Sequence, residues 1–178
     1  MRENEIRSIT ARKFKVTTDS KHHLPVSENL LKQDFTVSAI DKVWVSDITY
    51  IKTQEGWLYL SIILDLCSRK IVGWSVSDRI TKKVVTDALL KAIWNRKPSK
   101  GLIVHSDQGS QYASIEYRNI IQRFGFKQSM SGRGNCYDNA VAESFFHTFK
   151  TECVYLEVYN SKAKARSSIF DYSSFAPI

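Results

Sequence analysis

Three acidic residues stand in this chain where a fold ordinarily buries apolar groups. Asp47 lies inside Val43-Trp44-Val45-Ser46-Asp47-Ile48-Thr49-Tyr50, whose β-branched and aromatic content is that of a strand. Asp107 ends the short run Leu102–Ser106, just ahead of the turn residues Gln108-Gly109. Glu143 follows after an interval of 35 residues, inside the helix-like segment Asn139–Lys150. An isolated buried carboxylate costs several kcal/mol, and a bound cation is one of the few groups that offsets it. Any fold for this chain has to accommodate three such acids, and a divalent-metal site does so.

Composition narrows the class of partner. With 178 residues and 43% hydrophobic content, the chain can form one substantial domain with a real core. Its net charge of +8 and pI near 9.4 favour an anionic partner, nucleic acid first, with a merely basic soluble protein as the plain alternative. Cys67, Cys136 and Cys153 are far apart and form no C-x-x-C, so neither a disulfide framework nor a zinc knuckle is indicated. His22-His23 lacks the cysteine pair that a zinc module needs. Met1-Arg2-Glu3-Asn4-Glu5 is no signal core, and the apolar stretch Trp57–Leu66 is too short for a bilayer. A soluble, cytoplasmic protein with no membrane partner is expected.

Periodicity gives an element order. Residues 1–40 read as a basic N-terminal arm, with Arg2, Arg7, Arg12, Lys13, Lys15, Lys21 and Lys32. Val43–Lys52 and Trp57–Leu66 read as strands joined by Thr53-Gln54-Glu55-Gly56, and Lys70–Val76 completes an antiparallel meander. Thr81–Arg96 has helical spacing, with Val84, Val85, Ala88, Leu89 and Ala92 on one face and Thr81 as cap. Leu102–Ser106 is a buried strand, Ser114 caps a helix to Phe124, and Phe126–Met130 is a fifth strand. The order β-β-β-α-β-α-β-α predicts an α/β fold, a mixed five-stranded sheet with helices on its faces.

On a helical wheel of about 100° per residue, Val141, Ala142, Phe145 and Phe149 form the core stripe of the Asn139 helix. Asn139, Glu143 and Lys150 share a separate strip within about 40°, which suits one metal ligand beside one phosphate contact. Asp107 stands at the carboxyl end of a strand, where open α/β sheets place their sites. Each placement also has an ordinary structural reading: a solvated helix face for Glu143, a turn residue for Asp107. Together, two strand carboxylates and one helix carboxylate can hold two Mg²⁺ or Mn²⁺ ions roughly 3.5–4 Å apart for in-line phosphodiester displacement.

Four segments carry a specific resemblance. They are Trp44–Tyr50, Leu64-Asp65-Leu66-Cys67-Ser68-Arg69-Lys70-Ile71-Val72-Gly73-Trp74, His105-Ser106-Asp107-Gln108-Gly109-Ser110-Gln111-Tyr112, and Ser129 through Lys150. In this order, with the Asp107–Glu143 interval, the chain resembles DDE-type insertion-sequence transposases of the OrfB subgroup. Their integrase-like catalytic core belongs to the RNase H-like superfamily. The resemblance implies DNA transposition: metal-dependent hydrolysis at element ends, then strand transfer by the freed 3′-OH. It implies Asp47, Asp107 and Glu143 as the metal-binding catalytic triad, and Lys150 as the contact to terminal DNA. Asn139, Gln108, Tyr112, Asn135 and Arg133 are implied as DNA-binding residues, with His105 and Gly109 in supporting motif positions. Asp65 is expected to be structural, paired with Arg69. A homo-oligomer assembled on DNA is the implied partner state.

The resemblance divides the chain into an arm at 1–40 that is the remnant of a helix-turn-helix-linked region, a catalytic core at 41–160, and a truncated or frameshifted helix and tail at 161–178. Two other functions compete on this reading. One is a catalytically impaired transposase that binds only DNA or intact subunits; the other is an RNase H-like nuclease.

Overall fold

The computed structural model of the chain describes residues 22–132 and 139–175. Strand β1 (Val43–Thr53) turns into β2 (Gly56–Asp65), and β3 (Ile71–Ser77) completes the meander. The first connection is a two-residue hairpin closed by the Thr53–Gly56 pair, where Gly56 takes φ +110°, a conformation open to glycine. Helix α1 (Lys82–Arg96) then crosses to β4 (Ile103–Ser106), and α2 (Ile115–Arg123) crosses to β5 (Lys127–Met130). Helix α3 (Ala140–Glu152), a 3₁₀ turn (Val154–Leu156) and α4 (Lys162–Phe175) follow. The sheet order is β3-β2-β1-β4-β5, antiparallel among the first three strands and parallel from β1 to β5.

Side chains alternate across β1, so its two faces feed two separate cores. Trp44 faces a cluster built with Val84, Val85, Ala88, Leu89 and Ala92 of α1 and with Tyr117 and Ile121 of α2. Val43, Val45 and Ile51 face the other cluster, with Phe146 and Phe149 of α3 and Ala165 and Ile169 of α4. Each such fully buried side chain contributes roughly 1.5–3 kcal/mol. Helix α1 lies close on the sheet because Gly73 has no side chain: a Cβ there would stand 2.5 Å from the Ala88 carbonyl oxygen and 2.6 Å from the Ala92 nitrogen. The expected mixed sheet with helices on both faces is the observed one.

Four local expectations change. The core stripe of α3 is rotated: Phe146 is buried with Ala142 and Phe149, whereas Val141 and Phe145 are only partly covered. Thr81 occupies the cap position of α1, but its side chain makes no cap bond, while Ser114 Oγ does accept from the Tyr117 amide (3.4 Å). Asp65 is structural, as expected, yet its carboxylate accepts backbone amides of Asp41 (2.6 Å) and Ser68 (2.7 Å) rather than the Arg69 guanidinium. Arg69 meets it through main chain, its amide donating to the Asp65 carbonyl (2.8 Å). Finally, part of residues 22–40 of the expected arm packs on the domain. Leu31 is buried in the second core, with Phe35 and Val37 packed on it.

Candidate active site

The parallel pairing of β1 and β4 sets the geometry. Val45 is level with His105, so continuing the register by two residues puts Asp47 level with Asp107. Two steps preserve the face. Both aspartates therefore continue the row of Val43, Val45 and Ile103, which is the face that α3 covers. The two carboxylates, distant in sequence, arrive side by side because adjacent strands run in the same direction.

The third acid comes from α3. Phe146 and Phe149 seat that helix on the sheet, which leaves Glu143 on its exposed rim and Lys150 half-buried, two turns further along. The Lys150 ammonium sits 4.9 Å from the centre of the Tyr50 ring, a cation–π contact that holds it beside β1. Burial lowers the Lys150 pKa, and the Asp47 charge opposes that shift.

The charges of Asp107 and Glu143 both act on Asp47. The Asp47 pKa is raised well above the ordinary carboxylate value, first by burial and next by the Asp107 charge, with Glu143 adding to it. The Ile48 amide, 2.7 Å from Asp47 Oδ1, and the Lys150 ammonium pull the other way without cancelling the rise. Mutual repulsion of like charges is what a shared cation relieves. The donor set is all carboxylate oxygen, which suits a hard divalent ion. Among the described residues, no three His, Cys, Asp or Glu side chains stand close enough to form a ready-made cage. Glu143, being on an exposed rim, is the member with room to move.

The Asp107 loop is braced from several sides. Asp107 Oδ1 accepts the Gly109 amide (2.9 Å), the Gln108 side-chain amide donates to the Ser131 carbonyl (2.9 Å), and the Ser131 amide donates to the Ser106 carbonyl (2.9 Å). Behind it, buried His105 is 2.8 Å from Ser129 Oγ through Nδ1.

The other expected DNA contacts divide. Asn139 begins α3 and is buried; its side-chain oxygen has no hydrogen-bond partner. Gln108 is partly exposed at the mouth of the site. Tyr112 is a correction: it is fully buried, edge-on to Tyr117, with its hydroxyl 3.0 Å from Ser46 Oγ. It supports β1 behind Asp47 and has no surface to offer DNA. Its hydroxyl pKa is raised by burial and then by the Asp47 and Asp107 charges. Arg133 and Asn135 lie outside the described residues. Sequence reading missed Ser129 as a partner of His105, and His22, whose ring reaches the Gln108 carbonyl (2.8 Å). Neither carries a local signal, since both contacts join residues far apart in the chain.

Similarity to known proteins accords with this geometry. Residues 38–136 match the family described as Integrase core domain, and residues 124–174 match a second family of that description. The chain is 46% identical over 172 residues to the transposase InsF for insertion sequence IS3A of Escherichia coli K12, covering 97% of this chain and 60% of the relative. It is 46% identical over 171 residues to the insertion element IS600 uncharacterized 31 kDa protein of Shigella sonnei, covering 96% and 63%. The chain thus spans about three fifths of these relatives' length. Among solved structures, the simian T-cell lymphotropic virus intasome in complex with a PP2A regulatory subunit aligns with TM-score 0.61 at 19% identity, over 90% of this chain and 50% of that one. The HTLV-2 integrase catalytic core domain in complex with magnesium aligns with TM-score 0.57 at 16% identity, over 78% and 86%. The chain belongs to the integrase core domain family and has the RNase H-like fold of retroviral integrase cores.

Proposed function

We propose that this chain carries the catalytic core of an insertion-sequence transposase, a polynucleotidyl transferase that cuts DNA at element ends and joins the freed 3′-OH to target DNA. The observation that carries the reading is the parallel β1–β4 register, which brings Asp47 to the end of β4 where Asp107 follows, with the Asp107 and Glu143 charges raising the Asp47 pKa. Asp47, Asp107 and Glu143 would hold Mg²⁺ or Mn²⁺. When bound, such an ion supplies the Lewis acid that activates water or a 3′-OH and neutralises the departing oxygen.

The chain's own residues do the rest. Asp47 presents its oxygens from strand β1, Asp107 from the loop that follows β4, and Glu143 would join them from the rim of α3. Lys150, held over Tyr50, is the phosphate anchor beside them. Gln108, partly exposed beside Asp107, lines the approach for the DNA end, and Asn139, buried at the start of α3, supports it from below. The +8 net charge supplies the sequence-independent affinity for the backbone. Assembly as a homo-oligomer on DNA belongs to the same proposal, since the structural relatives include an intasome and trimeric and dimeric core forms.

The test is strand cleavage and strand transfer on DNA carrying the ends of its own insertion element, with Mg²⁺ or Mn²⁺. The wild-type chain should nick and join, and Asp107→Asn should lose both while remaining folded. Equal activity in the two proteins would sink the triad. Cleavage of RNA–DNA hybrids alone would favour a nuclease, and binding without cutting would leave a DNA-binding remnant.

A further inference from the structure

Residues 22–31 form a strap along β5, the edge strand next to the site. Ser27 Oγ donates to Gln128 Oε1 (3.2 Å), the Leu30 amide donates to Ser129 Oγ (2.9 Å), and the Met130 amide reaches the Glu28 carbonyl (3.4 Å). Leu31, buried in the second core, fixes one end of the strap. The other end is His22, 2.8 Å from the Gln108 carbonyl oxygen. The ring's protonation follows from its neighbours. The Leu24 amide donates to Nδ1 (3.2 Å), so the proton is on Nε2, and Nε2–H donates to Gln108.

The strap touches the residues on either side of Asp107. Through Ser129 it reaches His105, two residues before the aspartate. Through His22 it reaches Gln108, one residue after it. The β4–β5 ladder ends at the Ser106–Met130 pair, one residue before Asp107, and the strap meets the loop just beyond that end. Groups that orient a ligand from behind are worth large factors in metal affinity.

We propose that His22 is a positioning residue for the Asp107 loop: its Nε2–H, carried on the strap, holds the Gln108 main chain and thereby the aspartate's direction. This rests on the reading of Asp107 as a metal ligand. It assigns the N-terminal strap a part in the reaction beyond covering a sheet edge.

The experiment compares wild type, His22→Leu, which lacks the donor, and His22→Gln, which keeps one. Two readouts are taken: amide hydrogen exchange over residues 105–113, and Mn²⁺ affinity by calorimetry. His22→Leu should exchange about tenfold faster in that segment, with β1 and β2 unchanged, and bind Mn²⁺ about tenfold more weakly. His22→Gln should stay near wild type in both. Wild-type exchange and affinity in His22→Leu would overturn the proposal, as would a Gln variant that behaves like Leu. A wild-type chain that binds no Mn²⁺ would instead remove the metal reading on which the proposal stands. In that case the exchange data alone still show whether His22 holds the loop.

Discussion

Two corners of the molecule carry acids, and they treat them in opposite ways. At the start of β1, Asp65 is fully buried, with one carboxylate oxygen on the Asp41 amide and the other on the Ser68 amide. Asp41 itself accepts from Trp44 Nε1 (3.1 Å) and from Nε and Nη2 of the Arg96 guanidinium (3.1 and 3.0 Å). Every charge there meets a fixed donor supplied by the chain. At the end of β4, Asp47 and Asp107 face each other, and burial and the Asp107 charge together raise the Asp47 pKa. The first corner is complete as a structural knot. The second sets like charges beside each other, the repulsion that the proposed cation would relieve.

The largest effect that could break this contrast is on activity. Asp107→Asn should lower strand transfer by at least about a thousandfold, the loss expected when several kcal/mol of metal-borne stabilisation is removed. Unfolding in urea should barely change. The mirror experiment is Asp65→Ala, which leaves the buried Asp41 and Ser68 amides unpaired. It should cost about 3 kcal/mol in the same urea titration. If Asp65→Ala left stability intact, the knot would not be one.

A subtler test uses pH. A carboxyl whose pKa is raised on folding binds its proton more tightly in the folded chain than in the unfolded one. Stability therefore falls as pH rises from the ordinary carboxylate value through the folded value. Asp47→Asn removes that titration. In metal-free buffer the variant should melt above wild type at neutral pH, with the gap closing as pH drops toward about 4. Thermal melts across that range check it; a constant gap would mean the Asp47 shift is absent. Smaller again is Lys150→Ala. It should weaken DNA binding about equally for all sequences and lower the salt dependence by about one ion. Arg96→Ala, at the partly exposed ion pair with Asp41, should cost only about 1 kcal/mol.

Much of this was legible in the chain. The strands of the meander, the cap at Ser114, and the burial pressure around Asp47 are local patterns, and each lies where the pattern places it. The rotation of α3 was not, because Val141, Phe145, Phe146 and Phe149 are all apolar and only the neighbouring β1 and α4 decide which ones are covered. Tyr112 misled for a related reason. An aromatic beside a motif acid can stack on a base or fill the core, and the Ser46 hydroxyl across the sheet settles which. The strap was invisible for want of periodicity: its contacts join His22 to Gln108 and Leu30 to Ser129.

The central claim is that the Asp47–Asp107 corner is a cation site and the Asp65–Asp41 corner is not. Mn²⁺ titration by calorimetry, on folded wild type, Asp47→Asn, Asp107→Asn and Asp65→Asn, tests it most directly. Binding should weaken at least about tenfold in each of the first two variants and stay unchanged in Asp65→Asn. Equal Mn²⁺ affinity in wild type, Asp47→Asn and Asp107→Asn would contradict it.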